Sequence, residues 1–384
     1  MHMQKLKIIP LLLAVIMLFS SCLSGDEELK NRLIIEGVGI DFDEETKKFD
    51  LTVQAFTASQ EGGKEGGAAQ KPVLNYTVSG ITIAKALNDL EDITGKKTLY
   101  SQNLVVIIGN SVTGDNIVRS LDFFAREYTS RADVYVAAAT GSSKDILKIP
   151  KEGSEIPAKI IKEAIYKSSC YSITVNTELF NVINLYLEET TDFTLPLLEV
   201  VKEREDENVV KATGSYIYTK DGSKNHLSDQ ETMFFLMLVN KADKGTFSIE
   251  QEDDTIGIDL IKSSSKIKTE LRDGKPYFDI TIKCKIDMVE YDTSKFGNFT
   301  YDDVKKVEEA AGKYIANGVK GLLDRELKDR KSDIFRFGRR LMQKYPDEYQ
   351  KLAEKWDEIL PEIETDIKVQ TTLRRIGQET LRKG

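Results

Sequence analysis

"SKIKTELRDGKPYFDITIKCKIDMVEY", residues Ser265 to Tyr291, is the most legible stretch of this 384-residue chain. An Asp273-Gly274 step lies between two long runs of alternating residues, the signature of a β-hairpin. Downstream, helical spacing runs from about Tyr301 to Leu327. "SDIFRFGRRLMQKYP" and "DEYQKLAEKWDEILPE" predict two more helices, stopped by Pro346 and Pro361, and "ETDIKVQTTLRRIG" predicts a closing strand. Residues 263–384 therefore read β-β-α-α-α-β, a C-terminal domain of hairpin plus helices.

Upstream of the hairpin the elements are shorter. "KATGSYIYTKDG" reads as a strand leading to a turn, and "SDQETMFFLMLVN" as a helix capped by Ser228 or Asp229. "GTFSIE" closes what reads as a small middle α/β domain, residues 201–262. In residues 22–200 strands and helices alternate. "RLIIEGVGIDFDEETKKFDLTVQAFT" predicts two strands around a polar turn, with Ile34, Val38 and Ile40 facing Leu51, Val53 and Ala55. The acidic turn at Asp41 to Glu45 lacks the glycine and closing glutamate of a calcium loop. "LVVIIG" and "ADVYVAAATG" are continuous apolar runs, hence strands buried on both faces. "TIAKALNDLEDI", "IVRSLDFFARE", "SSKDILKI", "EIPAKIIKEAIYKSS" and "NTELFNVINLYLEET" carry helical patterns, and "LPLLEVVKE" returns to strand. The fold class is α+β: a mixed α/β body of three domains.

Ahead of that body stands "LKIIPLLLAVIMLFSSC". Twelve residues, Ile8 to Phe19, are apolar without a break, too few to span a hydrocarbon core of about 30 Å. Lys5 and Lys7 precede the run and small residues follow it, as in a signal peptide over residues 1–21. "LFSSC" resembles a bacterial lipoprotein cleavage box, which makes Cys22 the lipidated first residue of the mature chain. Two or more acyl chains there would bind membrane stably, where one would be marginal. The formal charge is −9. Removal of Lys5 and Lys7 with residues 1–21 takes it to −11, a body that anionic bilayers and nucleic acids repel. Cys170 and Cys284 are widely separated and read as buried free thiols.

The chemistry available is sparse. His2 and His226 are the only histidines, and His226 sits in the polar turn "DGSKNHLSD". A histidine-based triad or a zinc site has almost nothing to draw on, so neither a metal nor another cofactor is expected. Gly-rich "QEGGKEGGAAQKP" ends in no phosphate-loop lysine. Ser263 to Lys266, "SSSK", fits an S-x-x-K spacing, but the S-D-N and K-T-G elements are missing. A loop entering a strand accounts for those serines. No enzymatic activity is expected. One surface does stand out: from Arg325 to Lys344 there are eight basic and three acidic residues in an acidic chain. Arg336, Arg339 and Arg340 share one side of a predicted helix, opposite Ile334, Phe337, Leu341 and Tyr345. They form a candidate docking face for an acidic partner or lipid headgroups.

Taken together, Cys22, "DEELKNRLIIEGVGIDFD", "LVVIIGNSV", "LDFFAREYTSRADVYVAAATG", "DILKI" and the whole run from Ser332 to Gly377 resemble the Ger(x)C family. These are the lipoprotein C subunits of nutrient germinant receptors in bacterial spores. The resemblance implies three mixed α/β domains and a non-enzymatic lipoprotein on the outer face of the spore inner membrane. Its implied partners are two integral membrane proteins, an A and a B subunit, and it leaves contact with a nutrient ligand open. Lipidation at Cys22 is the one residue role it transfers. The alternative from another class is a solute-binding lipoprotein of a transporter, which should show two similar lobes around a cleft.

Overall fold

A computed structural model describes residues 31–57, 73–149, 156–204, 207–219, 222–251, 254–291, 300–377 and 379–380. Cys22, the apolar run before it and the Gly-rich stretch at 60–72 lie outside the described residues.

The alternating and continuous apolar runs of the N-terminal half gather into one mixed sheet. Strands β1 (Arg32–Asp43), β2 (Lys48–Thr57) and β3 (Leu74–Gly80) form an antiparallel meander. Strands β4 (Lys97–Leu99), β5 (Val105–Ile108), β6 (Tyr135–Ala139), β7 (Phe193–Arg204), β8 (Glu207–Tyr218) and β9 (Asn225–Leu227) complete it. The order is β3-β2-β1-β5-β6-β7-β8-β9, with β4 paired to β1. The central pairs β1–β5, β5–β6 and β6–β7 are parallel. Parallel neighbours need crossover helices, and these cover both faces. They are α1 (Ile83–Thr94), α2 (Asp115–Arg126), α3 (Ser143–Leu147), α4 (Pro157–Cys170) and α5 (Leu179–Tyr186).

The two-sided burial is visible residue by residue. Val106 and Ile108 of β5 enter one apolar cluster, and Val105 and Ile107 enter another on the opposite face. Asp41, read from sequence as part of a turn, lies within β1 instead. Its carboxylate accepts from the Ser142 and Ser143 hydroxyls, at 2.9 and 2.8 Å, and fastens β1 to the start of α3.

The C-terminal half builds a second sheet, β10 (Gly245–Gln251), β11 (Asp254–Arg272), β12 (Lys275–Glu290), β13 (Glu364–Ile376) and β14 (Glu379–Thr380), in that order. The Asp273-Gly274 hairpin is as predicted: both residues have positive φ, 50° and 79°, as a two-residue turn of the right twist requires. The segment "SSSK" is not a loop. It lies inside β11 and pairs with β12, half-buried and exposed by turns. Helices α7 (Tyr301–Asp324), α8 (Phe337–Lys344), α9 (Pro346–Leu352) and α10 (Trp356–Ile359) form the crossover between the parallel strands β12 and β13. A π-helical turn, Arg325–Asp329, ends α7.

Residues 201–262 have no sheet of their own. Strands β7, β8 and β9 finish the first sheet, while β10 and the start of β11 belong to the second. Expected breaks at 200/201 and 262/263 both fall inside strands, β7 and β11. Between them lies α6 (Asp229–Leu238), which packs against β8 on one side and α7, β11 and β12 on the other. Every residue from Thr232 to Leu238 is buried, so this helix is apolar all round and acts as the seam between the sheets. Ser228 caps it, with Glu231 closing a capping box. His226 is exposed on the edge strand β9, and Cys170 and Cys284 are free thiols, partly exposed and buried respectively. Burial pushes the Cys284 thiol up to about 12, which makes it inert.

Candidate functional site

The basic segment from Arg325 to Lys344 is placed where the two sheets meet. Its geometry starts from "DIFRFG", residues Asp333 to Gly338, and each residue there has an identifiable task. Asp333 is fully buried and accepts hydrogen bonds from the backbone N–H groups of Phe337 (2.9 Å) and Gly338 (2.8 Å). It thereby satisfies the first donors of α8, and it also accepts from Trp356 Nε1 at 3.3 Å. Loss of water around it pushes its pKa up to about 6, against the pull of those three donors. Ile334 and Phe335 enter the core of the second sheet, and Phe337 stacks on Phe278 with ring centroids 4.0 Å apart. Gly338 allows close approach: a β-carbon there would come within 2.1 Å of Thr190 Oγ1.

Arg336 lies outside the helix, not along it. It is the residue before α8 and holds a left-handed backbone, φ 62°. Its guanidinium donates to Glu188, which lies between α5 and β7. Arg339 pairs with the same carboxylate. Burial raises the pKa of Glu188, but the hydrogen bonds from Arg336 and Arg339 together outweigh it and hold the carboxyl below its ordinary value. Ser332 Oγ donates to Asp192 at 2.7 Å, and Asp192 N–H donates to the Asp333 carbonyl at 3.3 Å. The segment after α5 is thus clasped to the entry of α8.

Of the three candidate docking arginines, two therefore spend charge inside the molecule. Arg340 is the third. It is half-buried, and its Nε has no hydrogen-bond partner among the described residues. Desolvation, with the neighbouring Arg336 charge, lowers its pKa. All three line a recess of about 290 Å³ at the junction, together with Lys241, whose pKa is lowered by the surrounding protein and by Arg336.

A second contact lies nearby in the π-turn. Glu326 is fully buried, and it accepts from Arg325 Nε at 2.8 Å and Arg330 Nη1 at 2.9 Å. Arg325 also pairs with Glu231 of the α6 capping box, and Arg330 reaches the His226 carbonyl on β9. Burial raises the Glu326 pKa, with both arginines pulling it back.

Glu188, Asp333, Glu326, Lys241 and Gly338 are not singled out by sequence reasoning. Only Asp333 carries a usable signal, an acid four residues before a helix-facing Phe-Gly. No cluster of histidine, cysteine and acidic side chains that could hold a metal occurs among the described residues.

Residues 25–200 match the family described as spore germination protein N-terminal domain. Residues 213–377 match the family described as spore germination B3/GerAC like, C-terminal. Three relatives from Bacillus subtilis (strain 168) align along nearly their whole length. Spore germination protein KC is 26% identical over 95% of this chain and 96% of its own. Spore germination protein B3 is 24% identical over 96% and 97%. Spore germination protein A3 is 22% identical over 99% and 100%. The crystal structure of the GerBC protein shares the fold, with a TM-score of 0.57 and 20% identity over 88% of this chain and 97% of that one. The chain belongs to the Ger(x)C family of spore germination proteins.

Proposed function

We propose that this chain is the C-type subunit of a spore nutrient germinant receptor. In this reading Cys22 carries the lipid that holds it to the outer face of the spore inner membrane. It acts without catalysis, by contact with integral membrane A and B subunits. The observation that carries the reading is the end-to-end alignment with three spore germination proteins. Among the described residues no helix is long and apolar enough to cross a membrane.

The solute-binding alternative expects two similar lobes. The two sheets differ in strand number, order and parallel content, which weighs against it.

Deletion of the gene in its spore-forming host should abolish germination with particular nutrients and leave vegetative growth intact. Cys22→Ala should release the protein from the spore membrane fraction and reproduce much of the deletion phenotype. Normal nutrient germination in the deletion strain, with defective solute uptake instead, would replace this reading with the transporter one.

A further inference from the structure

The junction recess has a composition that the clasp does not explain. Glu188 pairs with both Arg336 and Arg339, one negative charge against two positive. Arg340 and Lys241 line the same cavity, and neither side chain has an ion-pair partner among the described residues. Asp192, also on the wall, is engaged by Ser332. Asn176, Asn181, Thr194 and Gln343 add polar groups to the wall, and its apolar side includes Phe235, Val239, Ile334 and Phe335. Three of these are core residues of the second sheet, so the wall is firm.

We propose that this recess binds a small organic carboxylate, gripped by Arg340 and Lys241. Arg340 lines the recess with no ion-pair partner among the described residues, and a guanidinium so placed can meet a carboxylate with two oxygens. Lys241 supplies a second, point-like charge from the α6–β10 connection. Burial first, and the Arg336 charge second, disfavour the charged forms of both cations, and an entering anion offsets that cost. The apolar wall selects the class. A bare inorganic anion would leave it uncovered, whereas a hydrocarbon body attached to the carboxylate would fill it. At about 290 Å³ the recess is at the small end of ligand sites, so the acid is small. The proposal does not depend on the receptor reading and stands or falls separately from it.

Isothermal titration of the full chain with benzoate, at low chloride, tests it, with benzyl alcohol as the uncharged control. Benzoate should bind saturably and benzyl alcohol should not. Arg340→Met and Lys241→Met should each weaken benzoate by at least about tenfold, and Arg340→Lys by less. Emission from Trp356, the single tryptophan, reports whether each variant keeps its fold. Should Arg340→Met fail to fold, Lys241→Met decides alone, since Lys241 is exposed to solvent. Benzoate heats that never saturate, or an affinity unchanged in both Met variants, overturn the proposal. So does a pentaglutamate peptide that binds through Arg340 while benzoate does not, an outcome that makes the recess a seat for another protein's carboxylates.

Discussion

The two arginine–glutamate contacts at the junction look alike in composition and differ in depth. At the clasp, Glu188 is 18% exposed and its arginines 38% and 43%. At the π-turn, Glu326 is fully buried and its arginines are 30% and 25% exposed. Depth decides what each is worth. A pair open to water gains little, because hydration and salt already satisfy both charges. A buried carboxylate between two guanidiniums is costly to place and more costly to break, because removal of one member strands the others. The Glu326 contact should therefore govern whether the C-terminal body folds, and the Glu188 contact how firmly the two bodies are held together.

The largest expected effect breaks the deep contact. Glu326→Ala leaves Arg325 and Arg330 without their shared anion and should cost about 3–5 kcal/mol. Urea unfolding followed by Trp356 emission measures it, and a loss under about 1 kcal/mol would mean water already reaches this site.

Next in size is a pH effect at the carboxylate between the two contacts. Asp333 has a folded pKa of about 6 against an ordinary 3.8. Its folded form therefore holds a proton that the unfolded chain releases. The stability this confers is full below about pH 4 and is lost as pH rises through about 6, by at most about 3 kcal/mol. Asp333→Asn should flatten that part of the stability–pH curve, and an unchanged slope would remove Asp333 from the account.

The smallest effect belongs to the clasp. Glu188→Gln should cost no more than about 1 kcal/mol in global stability. Because the Glu188 pKa is lowered, its contribution is present above the ordinary carboxylate range and lost as pH falls through the lowered value. Faster amide exchange around Thr190 and Thr191, with little change in the unfolding midpoint, is the expected signature.

Those contacts also mark where sequence reading stops. Local rules found most elements. Continuous apolar runs gave β5 and β6, the Asp-Gly step gave the β11–β12 hairpin, and a cap at Ser228 or Asp229 gave the start of α6. They could not show that β8 joins the first sheet and β10 the second, because strand pairing is long-range. The segment at 201–262 therefore read as a unit, while its strands are shared between the two sheets and only α6 lies between them. The same limit applies to charge. Arg336, Arg339 and Arg340 look equivalent on a helical wheel, but the left-handed backbone at Arg336 and the position of Glu188, some 150 residues earlier, separate them. Asp333, four residues before Phe337, hints at a helix start, but nothing local announces that Thr190 waits against Gly338.

The parallel pairing of β12 with β13 has a consequence for how the chain is made. Residues Tyr277 to Met288 pair with β11 along one edge but find partners for the other edge only in Glu364 to Ile376, after the whole helical crossover has been synthesised. Until then β12 presents a bare edge whose side chains are the Phe278, Ile280, Ile282, Ile286 row of the core. Such an edge is a template for another chain. A ribosome stall or a premature stop before Glu364 should therefore yield a product that self-associates through β12, and the last full strand works as the seal on the finished molecule.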